Sequence, residues 1–422
     1  MGVICPATRP ASVKSHITST CVFDSLSKGA KWYRRCMDTI ICGASAYQFW
    51  RTPPIVLHLA AGSSDHPALR KVVAEEELIA FRQSLIEGLP LARACADGPS
   101  WRHAGVLQKA VREYQLVLAP SMDLPVDMLV GHERDRRSSS FVKTTLYKGA
   151  LPRGAVRGID EDLSVTSPAF TMLQLARSAS LQRTVLLASE LCGCYAVYHA
   201  PAPVAYQLQK MIRRHRLPEV DGWRPCLTAD GQLTDLWSRP PLVEPSELID
   251  MAAQSDSLDG KKRLTRAAEL VKPMAASPFE TQAGALLGLP KLLGGAGLGG
   301  FTHNEKVELT PDARLLARRD CCYCDLFWPD GLDVECQSAL YHNNVDGYLS
   351  DSDRAAALSL VGVDVLPLTY DQMRDPKRFS AFVHAMERSL GRKHVEPSEA
   401  QEAATQKLRE EIFVDWWSLP RL

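Results

Sequence analysis

Four carboxylates interrupt one short apolar stretch, CDLFWPDGLDVECQ: Asp325, Asp330, Asp333 and Glu335 lie between Cys324 and Gln337. Pro329, Asp330 and Gly331 supply the fixed φ, the local side-chain hydrogen bond and the positive φ of a tight reversal. Tyr323 to Trp328 and Leu332 to Gln337 are therefore expected as adjacent antiparallel strands. Nine residues separate Asp325 from Glu335, enough for two strand ends and a turn, which returns both carboxylates to one edge of the hairpin. Glu335 and Gln337 stand two apart and project from the same strand face. Hard oxygen ligands without thiols suit Mg2+ or Mn2+, and such an ion polarises a phosphodiester and lowers the pKa of an attacking water. Phosphodiester hydrolysis is the implied chemistry. The alternative is a hairpin whose acids face solvent.

The neighbouring elements can be read from their boundaries. Ser277 is an N-cap with Pro278 at the first helical position and Glu280 in the first turn, and the run Gly294 to Gly300 stops that helix. The glycines follow a helix and lack a Gly-Lys-Ser/Thr, so they do not form a nucleotide loop. NEKVELT, CCYCDLFW and LDVECQ read as strands, Ser352 to Val361 as a helix and VDVLPLT as a last strand, giving the order α, β, β, β, α, β.

These pieces resemble the PD-(D/E)xK, restriction-endonuclease-like superfamily, in the branch near the very-short-patch-repair endonucleases. That branch opens its helix with S-P-x-E, as in Ser277 to Glu280, and carries D-L-x-W-P on its second strand, as in Asp325 to Pro329. Its third strand reads V-E-x followed by Asp, Gln or Lys, matching Val334 to Gln337; a Tyr-His pair follows at Tyr341 and His342, then D-R-x-x-A-L from Asp353 to Leu358. The resemblance implies a nuclease-like domain over 277–392 with an αβββαβ core. It implies Asp325 and Glu335 as metal ligands for Mg2+ or Mn2+, Glu280 as an outer ligand, Gln337 as a water-orienting or weak ligand, and His342 as a phosphate-contacting or proton-transferring group.

Upstream, residues 1–38 read as a partly ordered leader and 39–210 as an α+β domain. In that domain TIICGASAYQFW is a strand entering a helix that Ser45 can cap, PPIVLHLA is the next strand, and 75–96 and 103–119 have helical apolar spacing. Ser167-Pro168 opens one later helix and Leu181 to Tyr195 forms another. Gly43 to Ala46 (G-x-S-A) and Val165 to Thr171 (V-T-x-P-x-x-T) are similar to the AbiEi-type antitoxin and transcriptional-regulator family of abortive-infection systems. This second resemblance implies a toxin–antitoxin or defence setting, with a partner toxin or regulator protein. Residues 211–276 read as a linker with short helices, and 393–422 as a charged helix ending in an apolar plug.

The chain of 422 residues has zero formal net charge, so charge is informative only locally. Residues 277–392 hold eleven Lys and Arg against sixteen Asp and Glu, so a grip on DNA would have to come from elsewhere. Two basic groups offer it: Arg134, Arg136, Arg137, Lys143, Lys148, Arg153 and Arg157, and then Lys210, Arg213, Arg214 and Arg216. Trp223, Trp237, Trp416 and Trp417 read as packing anchors. The twelve cysteines read as reduced and buried, with Cys192/Cys194 and Cys321/Cys322/Cys324 lacking zinc-ribbon spacing. With no span-length apolar run and no signal-peptide pattern, a cytoplasmic location is expected. The reading is a metal-dependent DNA endonuclease in defence or DNA maintenance; the alternative is a non-enzymatic, antitoxin-like regulator that keeps a catalytically silent nuclease fold.

Overall fold

The computed structural model describes residues 40–61, 73–88, 120–136, 138–140, 142–159, 163–255, 259–337 and 345–422. They form an α+β chain with three separate sheets. Among them no helix is long and apolar enough to cross a membrane.

The first sheet is built around a two-residue strand, β1 (Ile40–Ile41), which leads into helices α1 (Gly43–Arg51), α2 (Pro54–Ala61) and α3 (Glu75–Gly88). Strands β2 (Val126–Val130), β3 (Val142–Leu146), β4 (Val156–Gly158) and β5 (Ser164–Thr166) complete it in the order β3-β2-β1-β5-β4. Gly43 makes the entry to α1 possible, because its φ of +55° is open to glycine and strained for other residues. Ser45 is not the cap: Cys42 holds that position, and the Ser45 hydroxyl instead accepts from the Asp127 amide at 2.9 Å, tying α1 to β2. PPIVLHLA is not a strand either. Pro54 sits at the start of α2, and Ile55, Val56, Leu59 and Ala60 fall on one buried helical face, so packing overrides the β preference of Ile and Val.

After β5, Ser167 caps α4 (Pro168–Leu175) by accepting from the Phe170 amide, and the Thr166 and Thr171 hydroxyls meet at 2.7 Å across the junction. α5 (Leu181–Cys192) ends earlier than its apolar spacing suggests, since Tyr195 belongs to β6 (Tyr195–Val197). The Cys194 amide there donates to the Ala275 carbonyl at 2.7 Å. α6 (Ala202–Arg213) follows, then β7 (Arg224–Leu227) and β8 (Leu233–Ser238), which form a second sheet in the order β6-β8-β7. α7 (Pro245–Ala253) and α8 (Lys261–Leu270) come next. The stretch 211–276 thus carries a hairpin as well as helices, and Leu248, Met251, Leu264 and Ala267 join the same buried cluster as Leu186 and Trp328.

The third sheet holds the carboxylates. In chain order its elements are α9 (Pro278–Gly288), β9 (Thr302–Glu308), α10 (Pro311–Ala317), β10 (Cys321–Trp328), β11 (Leu332–Gln337), α11 (Val345–Leu360) and β12 (Asp364–Thr369). The sheet order is β12-β11-β10-β9; β9, β10 and β11 run antiparallel, while β12 is parallel to β11 and is reached through α11. Leu326, Trp328, Leu332 and Val334 share a core with α9, whereas Cys322 and Cys324 pack with Ala313 of α10 and Ala357 and Leu358 of α11.

α12 (Tyr370–Arg374), α13 (Pro376–Ser389) and α14 (Glu399–Ile412) close the chain. The tail then returns to the first half of the molecule. Trp416 donates to Glu190 at 2.7 Å, and Glu190 is paired with Arg51 at 2.6 Å with both side chains fully buried. Trp223, Trp237 and Trp416 are buried, as expected of packing anchors, and Trp417 donates to Asp123 at 3.1 Å.

Candidate active site at a fork between two strands

The hairpin turns where its residue types require. Gly331 has a φ of +85°, its amide donates to the Trp328 carbonyl at 3.0 Å, and a Cβ there would lie 2.7 Å from the Gly362 carbonyl oxygen. From the turn the ladder pairs Trp328 with Leu332, Phe327 with Asp333 and Leu326 with Val334, and there it stops. The next register position would set Asp325 opposite Glu335. At that point β10 continues along β9 to Cys321, while β11 continues along β12 to Gln337. The strands part, and the Asp325 carboxylate takes over from the lost backbone partner by accepting from the Cys336 amide at 2.9 Å.

Glu280 approaches from α9, which packs on β10 and β11. Ser277 caps the helix by accepting from the Glu280 amide, and its hydroxyl donates back to Glu280 Oε1 at 3.0 Å. Glu280 Oε2 accepts from the Ala276 amide at 2.7 Å and from Asn304 Nδ2 at 3.2 Å. Asn304 has a φ of +50°, a conformation Asn tolerates better than most residues, and its amide nitrogen also donates to the Met274 carbonyl at 2.7 Å.

The opposite side is held by Arg354 of α11. Its guanidinium pairs with Glu335 Oε1, lies 3.8 Å from Asp333 Oδ2 and donates to the Tyr323 carbonyl. Asp333 is fully buried, and neither of its oxygens has a hydrogen bond of ordinary geometry; its weak neighbours are the Cys324 thiol and the Leu326 amide. Glu335 Oε2 is likewise buried without a partner. Three acids, Glu335, Asp325 and Asp333, thus act on one guanidinium, with Glu280 close to the first two.

Their protonation follows from that crowding. Burial raises Asp325 well above the usual carboxylate range, and Glu335, Glu280 and Asp333 push it the same way. Burial, with Glu335 beside it, moves Glu280 up to about 7; burial and Glu335 do the same to Asp333. Burial alone would lower Arg354, yet Glu335 outweighs it and keeps the guanidinium charged. His303, whose Nδ1 lies 3.0 Å from the Asp325 carbonyl oxygen, is driven down to about 4 by burial and stands neutral. The thiols of Cys324 and Cys336 are pushed up by burial and by the same carboxylates, so both stay protonated.

Asp325, Glu335 and Glu280, named from the sequence, are therefore one electrostatic unit. Gln337 ends β11 opposite Thr369 and is half-buried. His342 lies outside the described residues. Asp333, Arg354, Asn304 and His303 were not singled out for chemistry, although Asp333 shares the strand face of Glu335 by its spacing and Arg354 stood in the D-R-x-x-A-L signature.

The donor set suits a hard divalent cation in being all oxygen and in including the buried, unpartnered Glu335 Oε2, and an ion would have to displace the protons that burial favours on Asp325, Glu280 and Asp333. The oxygens of Glu280, Asp325 and Glu335 do not all lie within 4.8 Å of one another; among the described residues that spacing is met by His384, Glu387 and His394, with no cysteine involved.

The basic groups are spread over other elements. Arg134 and Arg136 are exposed beside Asp135 and Glu133, and Lys148 lies 3.8 Å from Glu133. Lys143 is exposed on β3. Arg137 lies outside the described residues. Lys210, Arg213 and Arg214 line a cleft of about 480 Å³ with the exposed Tyr206, and Glu77 pairs with Lys210 and Arg214.

Comparison with protein families, with curated proteins and with solved structures finds no match for this chain.

Proposed function

We propose that the chain is a metal-dependent nuclease of the restriction-endonuclease-like kind, cleaving DNA in a defence or DNA-maintenance setting, with an AbiEi-like module in its first half. The observation that carries this reading is the fork: the β10–β11 ladder ends at Leu326 and Val334, and the residues just beyond it on the two parting strands are Asp325 and Glu335, with Glu280 at a capped helix start beside them. The run α9, β9, α10, β10, β11, α11, β12, which is the expected order with one additional helix, α10, between the first two strands, in a sheet ordered β12-β11-β10-β9, supports it.

In this reading Asp325 and Glu335 hold Mg2+ or Mn2+, which when bound supplies charge neutralisation at a scissile phosphate and an acidified water. Glu280, fixed by Ala276, Ser277 and Asn304, acts as an outer carboxylate, and Gln337 offers an amide carbonyl that can orient a water. Arg354 sets the direction of Glu335 through Oε1 and leaves Oε2 free. A partner toxin or regulator, and a cytoplasmic site of action, belong to the same proposal.

A second reading has its own observation: the Arg354–Glu335 pair already supplies a cation at the fork, as a catalytically silent fold used for regulation or protein contact would need. One assay separates them. The purified chain is incubated with supercoiled, linear and mismatched DNA and with RNA, in Mg2+, Mn2+ or chelator. Cleavage that requires a divalent ion and vanishes in Asp325→Asn and Glu335→Gln supports the nuclease; intact substrates throughout, or an Asp325→Asn variant that cuts like wild type, supports the silent fold.

A further inference from the structure

A second, chemically different site is assembled where α13 hands the chain to α14. His384 and Glu387 sit three residues apart on α13, hence on one face of the helix. The chain then reverses: the Gly391 amide donates to the Arg388 carbonyl, Gly391 takes a φ of +62°, and the Arg392 amide donates to the Glu387 carbonyl at 2.7 Å. This reversal lays His394 back over the helix, with its Nε2 2.6 Å from His384 Nε2.

The buried Glu387 decides which nitrogen of His394 is available. Its Oε2 lies 2.7 Å from His394 Nδ1, so the Nδ1 proton points to the carboxylate and the Nε2 lone pair points at His384. A carboxylate that fixes the tautomer of an imidazole in this way is the usual outer support of a metal-bound histidine. The ligand atoms of His384, Glu387 and His394 lie within 4.8 Å of one another, and the largely exposed Glu396 brings its Oε1 to 3.4 Å from the same Nε2. Two imidazoles and a carboxylate with a position left for water match a divalent transition ion such as Zn2+ better than the Mg2+ or Mn2+ favoured at an all-oxygen fork.

We infer that His384 and His394, flanked and oriented by Glu387, bind a divalent transition-metal ion, with Glu396 at the rim of the site. The bound ion clasps the turn that launches the C-terminal arm, whose Glu411 pairs with Arg183 at 2.6 Å and whose Trp416 reaches Glu190. The inference stands independently of any nuclease activity.

Full-length protein freed of metal with chelator and titrated with Zn2+ in a calorimeter should bind about one equivalent at this site. Co2+ in its place should give a visible spectrum without the thiolate charge-transfer band, which distinguishes the site from the cysteines. His384→Ala and His394→Ala should lose the ion, Glu387→Gln should weaken it about 10- to 100-fold, and Asp325→Asn should keep it. Circular dichroism checks folding, and should His394→Ala unfold, the surface change His384→Gln carries the same test. Absence of binding, a thiolate band, or an affinity unchanged in the histidine variants would overturn the inference.

Discussion

Glu335 and Arg354 form an ion pair that joins β11 to α11 and brings one positive charge to a cluster of four buried or half-buried acids. Removing one partner of a buried pair leaves the other uncompensated, which costs about 3–5 kcal/mol. Arg354→Met should therefore lower the urea midpoint strongly in chelator. Millimolar Mg2+ should restore part of the loss if the freed carboxylates take up an ion, since a ligand of the native state alone stabilises it. A variant as stable as wild type, or one indifferent to Mg2+, would count against a cation-seeking cluster.

Gln337 tests catalysis separately from ligation. The carboxylate ligands matter more to a metal-bound water than this third position does, and a lysine would add charge where negative charge develops. Gln337→Lys should keep or raise any Mn2+-dependent nicking that Asp325→Asn abolishes. The readout is conversion of supercoiled to open-circular DNA, and a Gln337→Lys variant as inactive as Asp325→Asn would contradict the assignment.

Stability should respond to pH in two opposite ways around the fork. His303 is held neutral down to about 4 against an ordinary value of 6.5, so below 6.5 the unfolded chain gains a proton that the folded one refuses. Stability is lost as pH falls through that window, by about 1.4 kcal/mol per unit. Glu280 has the reverse sign. Its value rises from 4.5 to about 7, the folded chain binds the extra proton, and stability falls as pH rises through that window. Urea denaturation at several pH values should show the advantage of wild type over His303→Gln shrinking toward acid, and that over Glu280→Gln shrinking toward neutrality.

Glu190 connects elements far apart in sequence: it pairs with Arg51 and accepts from Trp416 and from the Val197 amide. Glu190→Gln should cost about 3–5 kcal/mol, because Arg51 is then left charged in the interior. The double change Arg51→Met with Glu190→Leu should recover much of that loss. Thermal or urea unfolding of the Glu190→Gln and double variants measures the difference, and a double variant no more stable than Glu190→Gln would refute the buried-charge explanation.

If the two basic groups form a DNA footprint, affinity should fall steeply with salt, and each phosphate contact removed should reduce the logarithmic slope by about 0.9. Reversing Arg136 and Arg137 to Glu should weaken binding to all sequences alike. Fluorescence anisotropy across a salt series is the measurement. Binding insensitive to salt would argue for a protein partner instead.

Much of the local structure was legible in the chain because its causes are local. Pro329, Asp330 and Gly331 dictate a turn wherever they occur, Ser277-Pro278 and Ser167-Pro168 announce helix starts, and the nine-residue gap from Asp325 to Glu335 already implied facing positions. Other features depended on partners that the sequence does not place side by side. Ile55 and Val56 became helical because an apolar face had to be buried, and Ser45 left its capping role because Asp127, 82 residues away, offered an amide. That Arg354 neutralises Glu335, that the ladder opens at Leu326, and that His394 folds back over His384 and Glu387 all follow from three-dimensional packing and chain reversal. Short-range sequence chemistry determined where the acids and turns lie; long-range burial decided which charges meet and which protons they keep.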